Sequence, residues 1–244
     1  MTIEEELGDL HYWPIHPIDY DSYFKRIPYN SKIPSESERM GMVNFIDNTI
    51  KQFSAGLPMC YNGLDRLRDV HAPLYERERA IRQTSLFVLI AMIDCMVACK
   101  YFLLADTDYD KRFMRGKLQV ILNEGFKKLY GFNDACVKKS EWARLAPLMS
   151  SFPPIIRKQY ECITTRLAEY SKRLSWWKDQ RDYETHFDTE PLYLSRQVDV
   201  VEGIVVIDSL VLYQVLECVN LFLSNAHAYT TNVLIDMYKR GELK

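Results

Sequence analysis

The chain has 244 residues, 48% of them hydrophobic and 26% charged, with a net charge of -2. That length suits one large domain or a core with an extension, and the composition is that of an ordinary soluble globular protein. The near-neutral balance excludes a uniformly basic nucleic-acid binder, while six cysteines without a C-x-x-C pair argue against zinc and against a disulfide framework and fit a reducing cytosol.

The first ten residues are acidic, with Glu4, Glu5 and Glu6, and have no apolar run of the signal-peptide kind. The expectation is a cytoplasmic protein with no membrane segment. Residues 1–34, with four prolines and many tyrosines, read as an irregular arm packed on a bundle. Ser35 with Glu38 three positions on forms a capping box, which opens a helix with Met42, Val43, Ile46, Ile50 and Phe53 on one face. That helix stops at Gly56. The stretch RLRDVHAP, 66–73, lies outside any strong apolar periodicity and reads as a capped turn.

From 74 to 105 a long helix becomes apolar nearly all round after Thr84, as a helix at the centre of a bundle would. Asp94 and Lys100 inside it disfavour lipid, and Cys95 and Cys99 share a face suited to packing. The turn Asp106-Thr107-Asp108 ends it, and a further helix runs to Tyr130-Gly131, where glycine closes the C-terminus. A short helix follows a cap at Ser140. The clearest helix starts at Pro153-Pro154 and carries Ile156, Tyr160, Ile163, Leu167, Tyr170, Leu174 and Trp177 at spacings of four and three.

After Pro191 the pattern changes. Residues 198–201 and 204–207 are β-branched runs separated by Glu202-Gly203, which reads as a short β-hairpin near 198–207; continuous helix through 195–210 is the competing reading. Asp208 then caps a last helix from 210 to about 239 that ends at Gly241. The expected architecture is all-α, an up-and-down helical bundle over 73–244 with an N-terminal arm and helix, 1–72, packed on it.

Arg-x4-His occurs twice, at Arg66–His71 and Arg181–His186. The bare spacing is expected roughly once by chance, so context has to carry any claim. The second copy, RDYETHFD at 181–188, ends the best amphipathic helix. If that helix continues, Asp182 and His186 are four apart on one face, and the carboxylate orients the imidazole for acid–base work. Arg181 has the fixed charge and forked geometry that hold a phosphate. Residues 157–181 carry seven Lys/Arg against three acids, and Arg173 and Lys178 in this strip are candidate RNA-backbone contacts. The bland alternative is an Asp–His pair and an exposed Arg at a frayed helix end, on a solvated helix face. No metal-ligand spacing and no Gly-rich phosphate loop is present, so no metal and no cofactor is expected. His11 and His16 in HYWPIHP read as part of the arm's aromatic packing, and Trp176 and Trp177 as edge and core.

Arg181-Asp182-Tyr183-Glu184-Thr185-His186-Phe187-Asp188 resembles the R-[polar]-x(3–5)-H motif of the HEPN superfamily (higher eukaryotes and prokaryotes nucleotide-binding domains). The segment 94–132 is similar in style to the first helices of such bundles, and the resemblance covers roughly 75–240. It implies an α-helical bundle that dimerises and brings two motifs together. Active members are metal-independent endoribonucleases of toxin–antitoxin, abortive-infection and other defence systems; many others are non-catalytic binding partners. By position, Arg181 would engage the scissile phosphate, Asp182 would fill the polar slot and His186 would transfer a proton. That slot is frequently Asn in the nucleases, and an acid there repels phosphate. The expected partners are RNA, a second copy of the chain, and an antitoxin or other protein. The reading from another class is a helical-bundle interaction or RNA-binding module without catalysis.

Overall fold

The capping box at Ser35 is formed. In the structure, a computed structural model describing residues 12–16, 35–62, 64–174 and 202–242, the Ser35 hydroxyl accepts from the Glu38 N–H at 3.3 Å and the Glu38 carboxylate accepts from the Ser35 N–H at 2.7 Å. It opens α1 (Glu36–Gly56), which buries Val43 and Ile46. A 3-10 turn, Leu57–Cys60, and α2 (Leu64–Val70) follow, so the stretch read only as a turn is largely a short helix. His71 ends it and caps the next: its Nδ1 accepts from the Leu74 N–H at 3.1 Å, with Pro73 in the first turn of α3 (Ala72–Leu104).

α3 is the centre of the molecule. It packs against α1, α4 and α7, and its buried residues run from Leu74 to Leu103. It is the one helix among the described residues long and apolar enough to cross a membrane, and 56% of its most apolar stretch is buried against neighbouring helices. Lys100 reaches Asp47 of α1 at 2.7 Å. Burial raises the thiol pKa values of Cys95 and Cys99, the latter to about 11, which fits packing rather than reactivity.

Residues 105–107 fold the chain back into α4 (Asp108–Leu129), where the Thr107 hydroxyl accepts from the Asp110 N–H at 3.1 Å. Gly131 closes α4 with φ 97°, and a Cβ there would meet the Cys136 Cβ at 2.7 Å, so backbone and space both demand glycine. α5 (Asp134–Val137) is one turn capped by Asn133. Ser140 closes a turn, its hydroxyl accepting from the Ala143 N–H at 3.1 Å, but the element that follows, Ala143–Ser151, is a 3-10 helix whose N-cap is Trp142 and not Ser140.

α6 (Pro154–Leu174) starts at the expected proline pair and buries Ile156, Ile163 and Leu167. Its Tyr160 ring stacks on the buried Trp142 at 4.7 Å between centroids. α7 (Glu202–Lys239) corrects the hairpin: Glu202-Gly203 and residues 204–207 are helical, and residues 198–201 lie outside the described residues. Gly241 ends α7 with φ 71° and a Schellman pattern, its N–H donating to the Tyr238 carbonyl at 2.9 Å and the Glu242 N–H to that of Met237 at 3.0 Å.

The protein is all-α, 85% helical and without a strand among the described residues. One core joins Val43 and Ile46 of α1 to Met92 of α3, Leu122 and Phe126 of α4, Ile163 of α6 and Phe222 of α7.

Candidate functional site

Of the residues singled out from the sequence, Arg173 falls in the last turn of α6, and Lys178, Arg181, Asp182 and His186 lie outside the described residues, as do His11, Trp176 and Trp177. What is described is the helix that leads to them. Arg157, Lys158 and Lys172 of α6 are exposed, while Arg166 pairs with Glu169 at 2.9 Å. The last turns of α6 are tied to the end of α4, where the Ser171 hydroxyl donates to the Gly131 carbonyl at 3.0 Å. The other Arg-x4-His copy is not a site, because His71 is used as a helix cap.

Sequence reading missed an ionic cluster in the core. Arg77 and Glu78 of α3 are 7% and 2% exposed. One Glu78 oxygen contacts Nδ1 of His227 on α7 and also accepts from Nε of Arg82 at 2.7 Å. Arg82 continues to the carbonyls of Met59 at 3.2 Å and Asn62 at 2.6 Å, tying the 3-10 turn to α3. The Arg77 guanidinium lies over the rings of Phe152 and Tyr229, 5.1 and 5.5 Å from their centroids. Burial alone would raise the Glu78 pKa; the hydrogen bonds and charges of His227 and Arg82 outweigh it, and the carboxyl stays below its ordinary range. Burial lowers that of Arg77, against the pull of Tyr229 and Glu78. A signal was available. Glu78 stands four after Leu74 and three before Ile81, a core position on the α3 seam.

Glu78 holds one ring nitrogen of His227, and Arg82 spends its guanidinium on Glu78 and two carbonyls. The cluster binds α3, α7 and the 57–62 turn together. α4 carries a second buried polar set, Arg115, Gln119 and Asn123, four residues apart along one face.

A third polar arrangement lies on α7 and holds the N-terminal arm. The Asn232 side chain accepts from the Trp13 N–H at 2.8 Å and donates to the Trp13 carbonyl at 2.9 Å. Asn225 does the same to His16, at 3.1 and 2.9 Å, and Gln159 of α6 adds a bond to the His16 carbonyl at 3.2 Å. The spacing explains the match. Seven residues of α-helix rise about 10.5 Å, and three residues of extended chain span about 10 Å. Tyr12 then donates to Asp236 at 2.5 Å, with Lys239 over its ring. Residues 12–16 of the arm lie against α6 and α7, where His16 is held by its main chain; the rest of the arm lies outside the described residues.

At the α4–α5 junction an open pocket of about 300 Å³ is lined by Glu124, Lys127, Lys128, Ala135, Cys136 and Lys139. Lys127 reaches Glu124 at 3.7 Å, and Lys128 reaches the buried Glu141 at 3.5 Å. Among the described residues no group of three or more His, Cys, Asp or Glu is placed to hold a metal ion. The chain matches no protein-family model, no curated protein and no solved structure.

Proposed function

We propose that this is a HEPN-like RNA-acting protein of the cytoplasm that works as a homodimer and cleaves RNA without a metal, in a defence or stress role. In this reading Arg181 engages the scissile phosphate and Asp182 orients His186. Arg173 and Lys178 hold the flanking backbone. The 2′-hydroxyl loses its proton and attacks the adjacent phosphorus, the bond to the 5′-oxygen breaks, and that oxygen takes up a proton. His186 serves one of these transfers. The products are a cyclic phosphate and a free 5′-hydroxyl.

The observation that supports the reading is α6. It is an amphipathic helix seated in the core by Ile156, Ile163 and Leu167, its outer face exposes Arg157, Lys158 and Lys172 beside Glu161 and Glu169, and the sequence runs from it into the Arg-x4-His stretch. Positioned cations on a rigid helix suit a phosphodiester substrate, because phosphate contacts fix register and orientation.

The test is His186→Ala. Cleavage of RNA should fall by about 100- to 10,000-fold, the usual worth of acid–base assistance, with the melting temperature unchanged and wild-type cleavage surviving EDTA. Strict dependence on magnesium, or a variant destabilised by several kcal/mol, overturns the mechanism. The alternative is a non-catalytic helical-bundle module that binds RNA, an antitoxin or another protein. Wild-type protein that leaves RNA intact selects it.

A further inference from the structure

The pocket at the α4–α5 junction is linked to the last turns of α6 through Gly131. Ser171 bonds the Gly131 carbonyl, and Gly131 approaches Cys136, which lines the pocket. Arg181 is ten residues beyond Ser171, a chain length of at most about 36 Å. Three lysine stems, with Ala135 and Cys136, form walls that are mostly aliphatic and tipped with positive charge.

The charges are not all spent. The pairs of Lys127 with Glu124 and Lys128 with Glu141 are long, and each lysine is about half exposed. The exposed Lys127–Glu124 pair is worth about 0–1 kcal/mol and yields readily to a stronger anion, while the buried Glu141 is also held by Arg144 at 3.0 Å, closer than Lys128. Lys138 and Lys139 are exposed and have no ion pair among the described residues. An acidic ligand group would meet the two glutamates beside the lysines, so a ligand that reaches past them with a strung row of single negative charges fits best. A phosphodiester chain has that form.

We propose that the pocket lined by Lys127, Lys128 and Lys139 binds the sugar–phosphate backbone of single-stranded RNA, beside the last turns of α6, which precede the Arg181–His186 stretch in the sequence. The inference rests on the RNA-acting reading and names its anchoring surface. The site binds backbone without reading bases, and it holds a strand whose cleavage occurs elsewhere.

The experiment uses the full chain carrying His186→Ala, so that RNA stays intact, and follows fluorescence anisotropy of a labelled single-stranded RNA of about 20 nucleotides across a salt series. Adding Lys128→Glu and Lys139→Glu should weaken binding by at least about tenfold and flatten the log–log salt slope by about 1.4, the worth of two phosphate contacts. The charge-matched control is Lys51→Glu with Lys117→Glu, exposed lysines of α1 and α4 away from the pocket, and it should cost far less. Lys139→Glu alone breaks no ion pair, so it gives the same direction should the double variant fold poorly. Equal losses in pocket and control variants overturn the site in favour of general attraction. Unchanged binding in the pocket variant overturns it too, and leaves the RNA-acting reading standing if wild-type protein still cleaves. A pocket variant that keeps RNA but loses a poly-glutamate peptide overturns it in favour of an acidic protein partner. Wild-type protein that binds no RNA overturns the inference outright. Pocket-dependent RNA binding without any cleavage by wild-type protein supports the site and removes the nuclease.

Discussion

α7 is gripped from two sides by polar groups of opposite character. His227 turns inward to Glu78, and Asn225, two residues earlier and therefore about 200° round the helix, turns to the arm. The first contact joins the buried Glu78 carboxylate to an imidazole, and the second is a row of neutral amides that runs from the buried Asn225 out to a surface where Tyr12 and Trp13 remain about half exposed. Both hold segments far apart in sequence, but their energetic weight differs. Removing one member of a buried ionic set strands the others without solvent. Removing an amide at the outer end of the row, such as Asn232, lets water replace it.

The largest effect should come from Glu78→Ala. It leaves Arg82 without its carboxylate and removes a nearby charge that favours the buried Arg77 cation, and loss of one partner of a buried pair typically costs about 3–5 kcal/mol. A urea melt measures it. A cost below about 1 kcal/mol would show that the cluster is solvated, and the contrast with the clamp would collapse.

The same carboxylate sets an acid limit. Its folded pKa lies below the ordinary value of 4.5, so it binds its proton less readily folded than unfolded. The stability it supplies is complete above that ordinary value and is lost as pH falls through the folded one. Melts repeated downward from pH about 5 should show wild-type stability dropping more steeply than that of Glu78→Gln, which has no carboxylate to protonate. Parallel curves would place the acid sensitivity elsewhere.

How the two regions differ also explains what the sequence disclosed. Helix starts and stops were legible because they are local: the Ser35–Glu38 box, the Thr107 turn, Gly131, the Pro153-Pro154 start and Gly241 all work through residues within a few positions. The apolar run of α3 was legible for the same reason. The start of α7 was not. Residues 204–207 are β-branched and follow Glu202-Gly203, which is strand-and-turn chemistry locally. Their helix penalty is only a few tenths of a kcal/mol each, less than a helix buried at Val211, Leu212, Val215 and Leu216 supplies. The Glu78–His227 contact spans 149 positions and the Trp13–Asn232 contact 219, and no local pattern announces either. Only the core register of Glu78 hinted at the first. The Arg181–His186 stretch was legible as a motif, and its geometry lies outside the described residues.

Within the clamp itself Asn225→Ala should cost more than Asn232→Ala. Asn225 is 3% exposed and also donates to Gln159 at 3.2 Å, so its loss strands a buried amide, typically about 1–3 kcal/mol.

Asn232→Ala is the smallest change and the sharpest probe of the comparison. Its two bonds to Trp13 lie at the surface, where each is worth about 0.5–1.5 kcal/mol at most before water replaces it. The arm is held at other points too, through Asn225, Gln159 and Asp236, so global unfolding should shift by no more than about 1 kcal/mol. Local opening should respond differently. The Trp13 N–H donates to Asn232 Oδ1 and to nothing else among the described residues, so its protection against hydrogen exchange depends on that amide. The variant should therefore exchange the 12–16 segment several-fold faster while α3 and the core of α7 keep their rates. Faster exchange throughout α7 would mean that the arm and the Glu78–His227 contact stabilise one cooperative unit. Unchanged exchange at Trp13 would mean that packing of Ile15, and not the amide ladder, holds the arm in place.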